Sequence, residues 1–203
     1  MRNLSKSKII AFRQCPKRLW LEIHRPELQD DSASEMVFQI GHQVGDVARR
    51  SYDPENAREM IDLQELGHER AFLRSAELLQ DGAGPVFEAG MRVDGALAYA
   101  DVMLPAKSGG GLHWRMIEVK SSTSVKDYHR DDIAVQTHIA TKAGVPLQSV
   151  SLAHIDSSFV YPGNGDYAGL LKENDLTEET MARLDEVEGW IQEAHKVAYA
   201  PDE

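Results

Sequence analysis

The chain has 203 residues, 42% of them hydrophobic and 27% charged, and a formal net charge of −11. That length suffices for one domain with its own core, and the acidic balance argues against a nucleic-acid surface spread over the whole molecule. No apolar run approaches the roughly 20 residues needed to cross a bilayer, the N-terminus lacks the apolar segment of a secretion signal, and a single cysteine, Cys15, excludes an internal disulfide framework; a cytoplasmic protein with no membrane partner is expected.

Residues 5 to 22 predict a short helical stretch, broken or bent near Pro16. Residues 1 to 25 hold seven bases (Arg2, Lys6, Lys8, Arg13, Lys17, Arg18 and Arg25) against one acid, Glu22, whereas residues 172 to 203 hold ten acids against three bases. A local basic patch can hold phosphates on an acidic molecule; a solvated helix face is the plainer account. Ser32 and Glu35 have the spacing of a capping box. The helix after them would set Met36, Val37, Ile40, Val44 and Val47 on one stripe. "GHERAFLRSAELLQDG" predicts another helix, ended by Gly82.

The pattern then changes. "PVFEAGMRV", "ALAYADVML" and "HWRMIEVK" are short and β-rich, with a hairpin signal at Asp94-Gly95 and a longer turn at "PAKSGGG". "DDIAVQTHIATKAG" returns to helix and closes at Gly144. "QSVSLAHI" and "SFVY" read as a further strand and its continuation, and residues 177 to 198 as an amphipathic helix with Met181, Leu184, Val187, Ile191 and Ala194 inward. The fold class is therefore α/β, with a mixed sheet flanked by helices.

Glu118 and Lys120 stand two apart in the third strand, so they share a face. Asp101 lies in the strand before, 17 residues earlier, a separation that fits a hairpin. Two converging carboxylates repel unless a cation lies between them, and hard divalent ions such as Mg²⁺ favour oxygen ligands. The Val119 carbonyl is a candidate third oxygen, and Glu88, one strand earlier, a candidate extra carboxylate. Such a site would cleave phosphodiesters: the metal polarises the phosphate and acidifies a bound water, which attacks, while the ammonium of Lys120 offsets developing charge. An exposed Glu–Lys strand pair is the common reading of the triplet alone.

With Asp101 upstream, Glu118-Val119-Lys120 resembles the core motif of the PD-(D/E)XK nuclease superfamily. The RecB-like branch is the nearer likeness, including the CRISPR-associated RecB-like exonucleases. "LSKSKIIAFRQCPKRLWLE" is similar to that branch's N-terminal segment, "EVKSSTSVK" to its segment after the catalytic lysine, and "QTHIA" to its Gln-centred helical motif. The chain also resembles the N-terminal domain of long bacterial proteins of uncharacterised function. The resemblance implies a restriction-endonuclease-like core: a three-strand meander, a helix and a strand, with flanking helices. It implies one nuclease-like domain over residues 1–203, the N-terminal fragment of a longer protein with further domains. Asp101 and Glu118 would be metal ligands, Lys120 a base-like catalytic group, and Gln136 a catalytic-site or nucleic-acid residue.

Three departures qualify the likeness. The branch often carries a metal-ligating His in a Gly-x-x-x-His helix motif; Gly45 stands there, with His42 three residues earlier as a candidate substitute. Ala140 occupies the place of the motif's final Tyr. Some members hold an iron–sulfur cluster through one early and three late cysteines. Cys15 matches the early one, so no cluster forms from this chain alone unless the full-length protein supplies three more thiols; otherwise Cys15 reads as an ordinary buried cysteine.

Candidate nucleic-acid contacts are Lys126, Tyr128 and Arg130, in a polar loop after the third strand together with His129, and Arg13, Lys17 and Arg18 near the N-terminus. Trp20 and Trp114 have rings that can stack on bases, although core packing is their commoner use. His113, His129, His138 and His154 read mainly as surface or cap residues. The expected activity is that of an (exo)deoxyribonuclease using Mg²⁺ or Mn²⁺ on single-stranded DNA or duplex ends, in repair or defence. The alternative is a catalytically inactive nuclease-fold module that binds nucleic acid or a protein partner. Nothing specific supports a small-molecule hydrolase.

Overall fold

Local signals set the boundaries of most elements in the computed structural model, which describes residues 3–29, 34–55 and 60–201. A short strand β1 (Leu4–Ser5) leads into α1 (Lys6–Gln14), and α2 (Pro16–His24) follows. Pro16 occupies the first turn of α2, where a missing N–H costs nothing, so the predicted break is a junction of two helices at Cys15. Next come α3 (Ser34–Tyr52) and α4 (Leu63–Asp81). Asp62 caps α4 by accepting from the Gln64 and Glu65 amides, and Gly82, at φ 62°, ends it as predicted. The Ser32–Glu35 capping box and the side chains of Met36 and Val37 lie outside the described residues. Of the remaining stripe on α3, Val44 is buried, whereas Ile40 is 43% exposed; Ala48 takes the inward place instead.

The predicted meander is present as β2 (Val86–Val93), β3 (Ala96–Ser108) and β4 (Gly111–Lys120), with Gly95 at φ 87° in the first turn. The second turn is tighter than predicted. Gly109 and Gly110 make a two-residue hairpin with both φ positive, so Pro105 to Ser108 belong to β3. Pro105 is tolerated because β2 ends its pairing at Met103, leaving that side of β3 open. Then come α5 (Asp127–Lys142), β5 (Leu147–Ile155), β6 (Leu171–Asp175), α6 (Thr177–Met181) and α7 (Leu184–Ala198).

Three expectations are corrected here. Residues 158–161 do not continue β5: the Asp156 carboxylate accepts from the Ser158 amide and hydroxyl, turning the chain out, and Val160 is 84% exposed. The strand beside β5 is instead the polar β6, an edge strand with little apolar pattern to betray it. The predicted C-terminal helix is two helices, divided at Ala182–Arg183.

In the sheet, β2, β3 and β4 are antiparallel neighbours, β5 is parallel to β4, and β6 is antiparallel to β5. β1 pairs in parallel with the start of β3. This is a mixed α/β architecture consistent with a restriction-endonuclease-like core. The main core, running from Ile9 and Leu19 through Trp114, Met116 and Ile133 to Trp190, joins one face of the sheet to α1, α2, α4, α5 and α7. A small cluster of Phe87, Val102, Ile117 and Ala153 lies on the other, where α3 packs. Among the described residues, no helix is long and apolar enough to cross a membrane.

Candidate active site

Strand register brings three carboxylates level. Phe87 pairs with Val102 and Ala89 with Ala100, bracketing Glu88 opposite Asp101. The β3–β4 ladder reaches Val102 and Ile117, so the next step along it sets Asp101 opposite Glu118. Alternation slips at this level: Val86 and Ala89 both pack in the main core, as do Met103 and Ala100, although residues three apart on a regular strand face opposite ways. Glu88 absorbs the slip in a left-handed conformation at φ 55°, uncommon for a residue with a side chain. The regular ladder also ends here, because an Asp101 oxygen (Oδ2) accepts from the Val119 amide at 2.6 Å.

Glu118 lies at the centre of a charged network and is only 2% exposed. Its Oε1 accepts from Lys120 Nζ and Lys6 Nζ, both at 2.7 Å. Its Oε2 is buried without a hydrogen-bond partner among the described residues. Asp132, on α5, accepts from Lys120 Nζ at 2.5 Å and lies 3.4 Å from Lys6 Nζ. Lys6 also donates to Gln136 Oε1 at 2.7 Å, while Gln136 Nε2 is buried and unpartnered among the described residues.

These neighbours divide the acids into two kinds. Burial alone would raise the Glu118 carboxyl, but the ammoniums of Lys120 and Lys6 outweigh it and hold the group below the ordinary carboxylate range. Asp101 goes the other way: burial, and then the charge of Glu118, push it up to about 8. Burial followed by Glu118 also raises Glu88. Burial would lower Lys120, but Glu118 and Asp132 overcome it, and the ammonium is held charged well above its ordinary value.

Glu88, Asp101 and Lys120 line a cavity of about 460 Å³ beneath α3, and His42 of α3 lines it too. His42 is close enough for its charge to act on Glu88. Asp101, Glu118, Lys120 and Gln136 thus fall in one neighbourhood, with Glu88 and His42 at its edge. Lys6 and Asp132 escaped the sequence reading as members of it. For Asp132 a signal existed, since it precedes Gln136 by four residues and so shares its helix face. For Lys6 there was none beyond the basic N-terminal stretch.

The predicted nucleic-acid residues are more dispersed. Lys126, Tyr128 and Arg130 form the cap and first turn of α5 rather than a loop. Arg130 pairs with Glu179, Arg18 with Glu22, and Arg13 with Asp131 while lying 3.9 Å from the centre of the Trp190 ring. Lys17 and Tyr128 are exposed. Trp114 is fully buried and donates to the Leu79 carbonyl, and Trp20 stacks on His24 and donates to the Ala200 carbonyl, so both serve the fold. His129 is buried but caps α5 as expected, its ring accepting from the Lys126 amide, whereas His138 and His154 are buried against expectation and bond the Leu184 carbonyl and the Asn174 side chain. Cys15 is exposed between α1 and α2 rather than buried.

No protein-family model matches the chain, and no curated protein matches it in sequence. Among the solved structures that are similar at a low level are an exonuclease and one further protein. The alkaline exonuclease LHK-Exo from Laribacter hongkongensis is 11% identical, with a TM-score of 0.49, over 97% of this chain and 90% of that one. The structure of SSO0001 is 14% identical, with a TM-score of 0.39, over 100% of this chain and 80% of that one. Likeness at this level carries no argument about chemistry, which rests on the residues of the site.

Proposed function

We propose that the chain is a divalent-cation-dependent nuclease that hydrolyses phosphodiester bonds in DNA. The observation that carries this reading is the level set of Glu88, Asp101 and Glu118 on adjacent strands, with the Lys120 ammonium beside them at the wall of a cavity.

The donor set suits a divalent ion. Glu88, Asp101, Glu118 and Asp132 supply four carboxylates against the two ammoniums of Lys6 and Lys120, leaving a surplus of two negative charges when all are ionised. Glu118 Oε2 is a buried acceptor without a partner among the described residues, and Asp101 is raised by burial first and then by the repulsion of Glu118, the part that a cation removes. Among the described residues, no three His, Cys, Asp or Glu side chains are grouped to hold an ion by themselves. Asp101 and Glu118 would therefore hold it with the Val119 carbonyl and water, and Glu88 or His42 at longer reach. Bound there, a divalent ion supplies Lewis-acid polarisation of the phosphate and a more acidic water.

The chain's own groups do the rest. Lys120 stays protonated, so it offsets negative charge on the phosphate oxygens rather than removing a proton. Asp132 fixes the direction of that ammonium. Gln136 is fully buried behind Lys6, which suits it to orienting the network rather than touching DNA. Lys17, Lys126 and Tyr128 are exposed candidates for contact with the strand.

The test is cleavage of single- and double-stranded DNA with Mg²⁺ or Mn²⁺ by the wild type, Asp101→Ala and Lys120→Ala. Cation-dependent cleavage that falls at least about 100-fold in both variants is expected. The second reading, a module that binds without cutting, is favoured by one feature: both ammoniums already converge on one Glu118 oxygen. DNA binding without cleavage in all three proteins would establish it in place of the first.

A further inference from the structure

Lys6 is a largely buried charge to which the reaction above assigns no task. It is the first residue of α1, directly after β1, and its side chain is 16% exposed. β1 anchors it from behind: Leu4 and Ser5 pair with Ala96 and Leu97, and the Leu4 amide donates to the Gly95 carbonyl at 3.0 Å. An ammonium has three donors. Here two are spent at 2.7 Å, on Glu118 Oε1 and Gln136 Oε1, and Asp132 lies at 3.4 Å.

The consequence falls on Glu118. Lys6 and Lys120 both take Oε1, from different elements, and Oε2 has no partner among the described residues. A carboxylate clamped this way cannot turn about its last bond without breaking two charge-assisted hydrogen bonds. Lys120 alone would leave that rotation open, because its other bond goes to Asp132 rather than to a group that fixes Glu118.

We propose that Lys6 is a positioning residue: it locks Glu118 so that Oε2 alone faces a divalent cation, and it holds Gln136 in the same network. The proposal rests on the nuclease reading. It also separates two effects that a merely structural tie would not. A fixed ammonium beside a ligand repels the cation, and that repulsion exceeds the cost of ordering one carboxylate rotor. Lys6 therefore lowers cation affinity while raising the rate of the chemistry.

The experiment measures Mn²⁺ binding by calorimetry and DNA cleavage at saturating Mn²⁺, for the whole chain as wild type, Lys6→Met, Lys6→Gln and Lys6→Arg. Two neutral variants are used so that one that fails to fold leaves the other to decide. The neutral variants should bind Mn²⁺ about tenfold more tightly and cleave at least about tenfold more slowly, and Lys6→Arg should keep both values near the wild type. Neutral variants that bind Mn²⁺ no more tightly than the wild type, or cleave as fast, overturn the role of Lys6 alone. A wild type that takes up no Mn²⁺ overturns the nuclease reading and this inference together.

Discussion

The two faces of the sheet are built to different depths. One is sealed by α1, α4, α5 and α7 over a continuous core containing Ile9, Leu19, Trp114, Ile133 and Trp190. The other has four buried apolar residues, Phe87, Val102, Ile117 and Ala153, and opens under α3 into a cavity of about 460 Å³. The candidate site spans the two. Glu118 belongs to the deep side, where α1 and α5 deliver Lys6, Asp132 and Gln136. Glu88 and Asp101 belong to the open side. The difference explains why neighbouring carboxylates behave in opposite ways. On the deep side a buried acid is matched by two fixed ammoniums and stays ionised; on the open side the acids meet mainly burial and like charge. Rigidly held side chains come from the thick layer, and open space comes from the thin one.

Breaking the deep side should cost most. Trp114 is fully buried between the sheet and α4, and its indole N–H donates to the Leu79 carbonyl at 3.2 Å. Trp114→Ala leaves a cavity and an unpaired carbonyl, for a loss of about 3–5 kcal/mol. Urea unfolding would register this as a lower midpoint. A loss below about 1 kcal/mol would mean that this end of the meander is not closed by α4.

The next effect tests the open side, through Asp101. Its folded value of about 8 lies above the ordinary carboxylate value, so the neutral form is the one the fold prefers. That contribution is fully present below about pH 4 and is lost as pH rises through about 8. Glu118 has the opposite sign: its contribution is present above the ordinary value and lost only as pH falls through its depressed one. Between about pH 5 and 8.5 the slope from this pair is therefore Asp101's. Cation-free protein should lose on the order of 2 kcal/mol across that range, a figure reduced for the screening ammoniums and partial exposure. Asp101→Asn keeps an acceptor for the Val119 amide and removes the charge, so the variant should melt higher than the wild type at pH 8.5 and near it at pH 5. Mn²⁺ should restore the wild type at pH 8.5 and do little for the variant; parallel melting curves at all pH values would sink the proposed strain.

The sequence reveals the two sides unequally, for a physical reason. On the deep side, period-2 strands, the Asp94-Gly95 turn and a helix closing at Gly144 all state local preferences, and local preferences survive folding. The level of Asp101 and Glu118 follows from the same signals, because a hairpin fixes register. What could not be read is what long-range packing decides. Lys6 reaches Glu118 across 112 positions of chain, Cys15 is exposed by the junction of two helices, and the slip at Glu88 depends on three strands at once. The edge strand β6 is polar and so carries no apolar alternation, whereas "SFVY" is a β-prone aromatic and β-branched run and is not a strand.

The thin side also supplies the smallest prediction, at a place where periodicity misleads. A helical stripe through Ile40, Val44 and Val47 assigns all three to the core, yet of these only Val44 is buried, with Ala48 one turn on, and the α3 side chain packed against the Phe87 cluster is Tyr52. Ile40 is 43% exposed and Val44 is 7%. Ile40→Ser should therefore change stability by no more than about 0.5 kcal/mol, whereas Val44→Ser buries a hydroxyl and should cost more than about 1 kcal/mol. Paired melts of the two variants measure how far α3 is seated. Equal losses would mean that α3 lies flat on the sheet and closes the cavity, and the open side would then lack the room that the proposed activity requires.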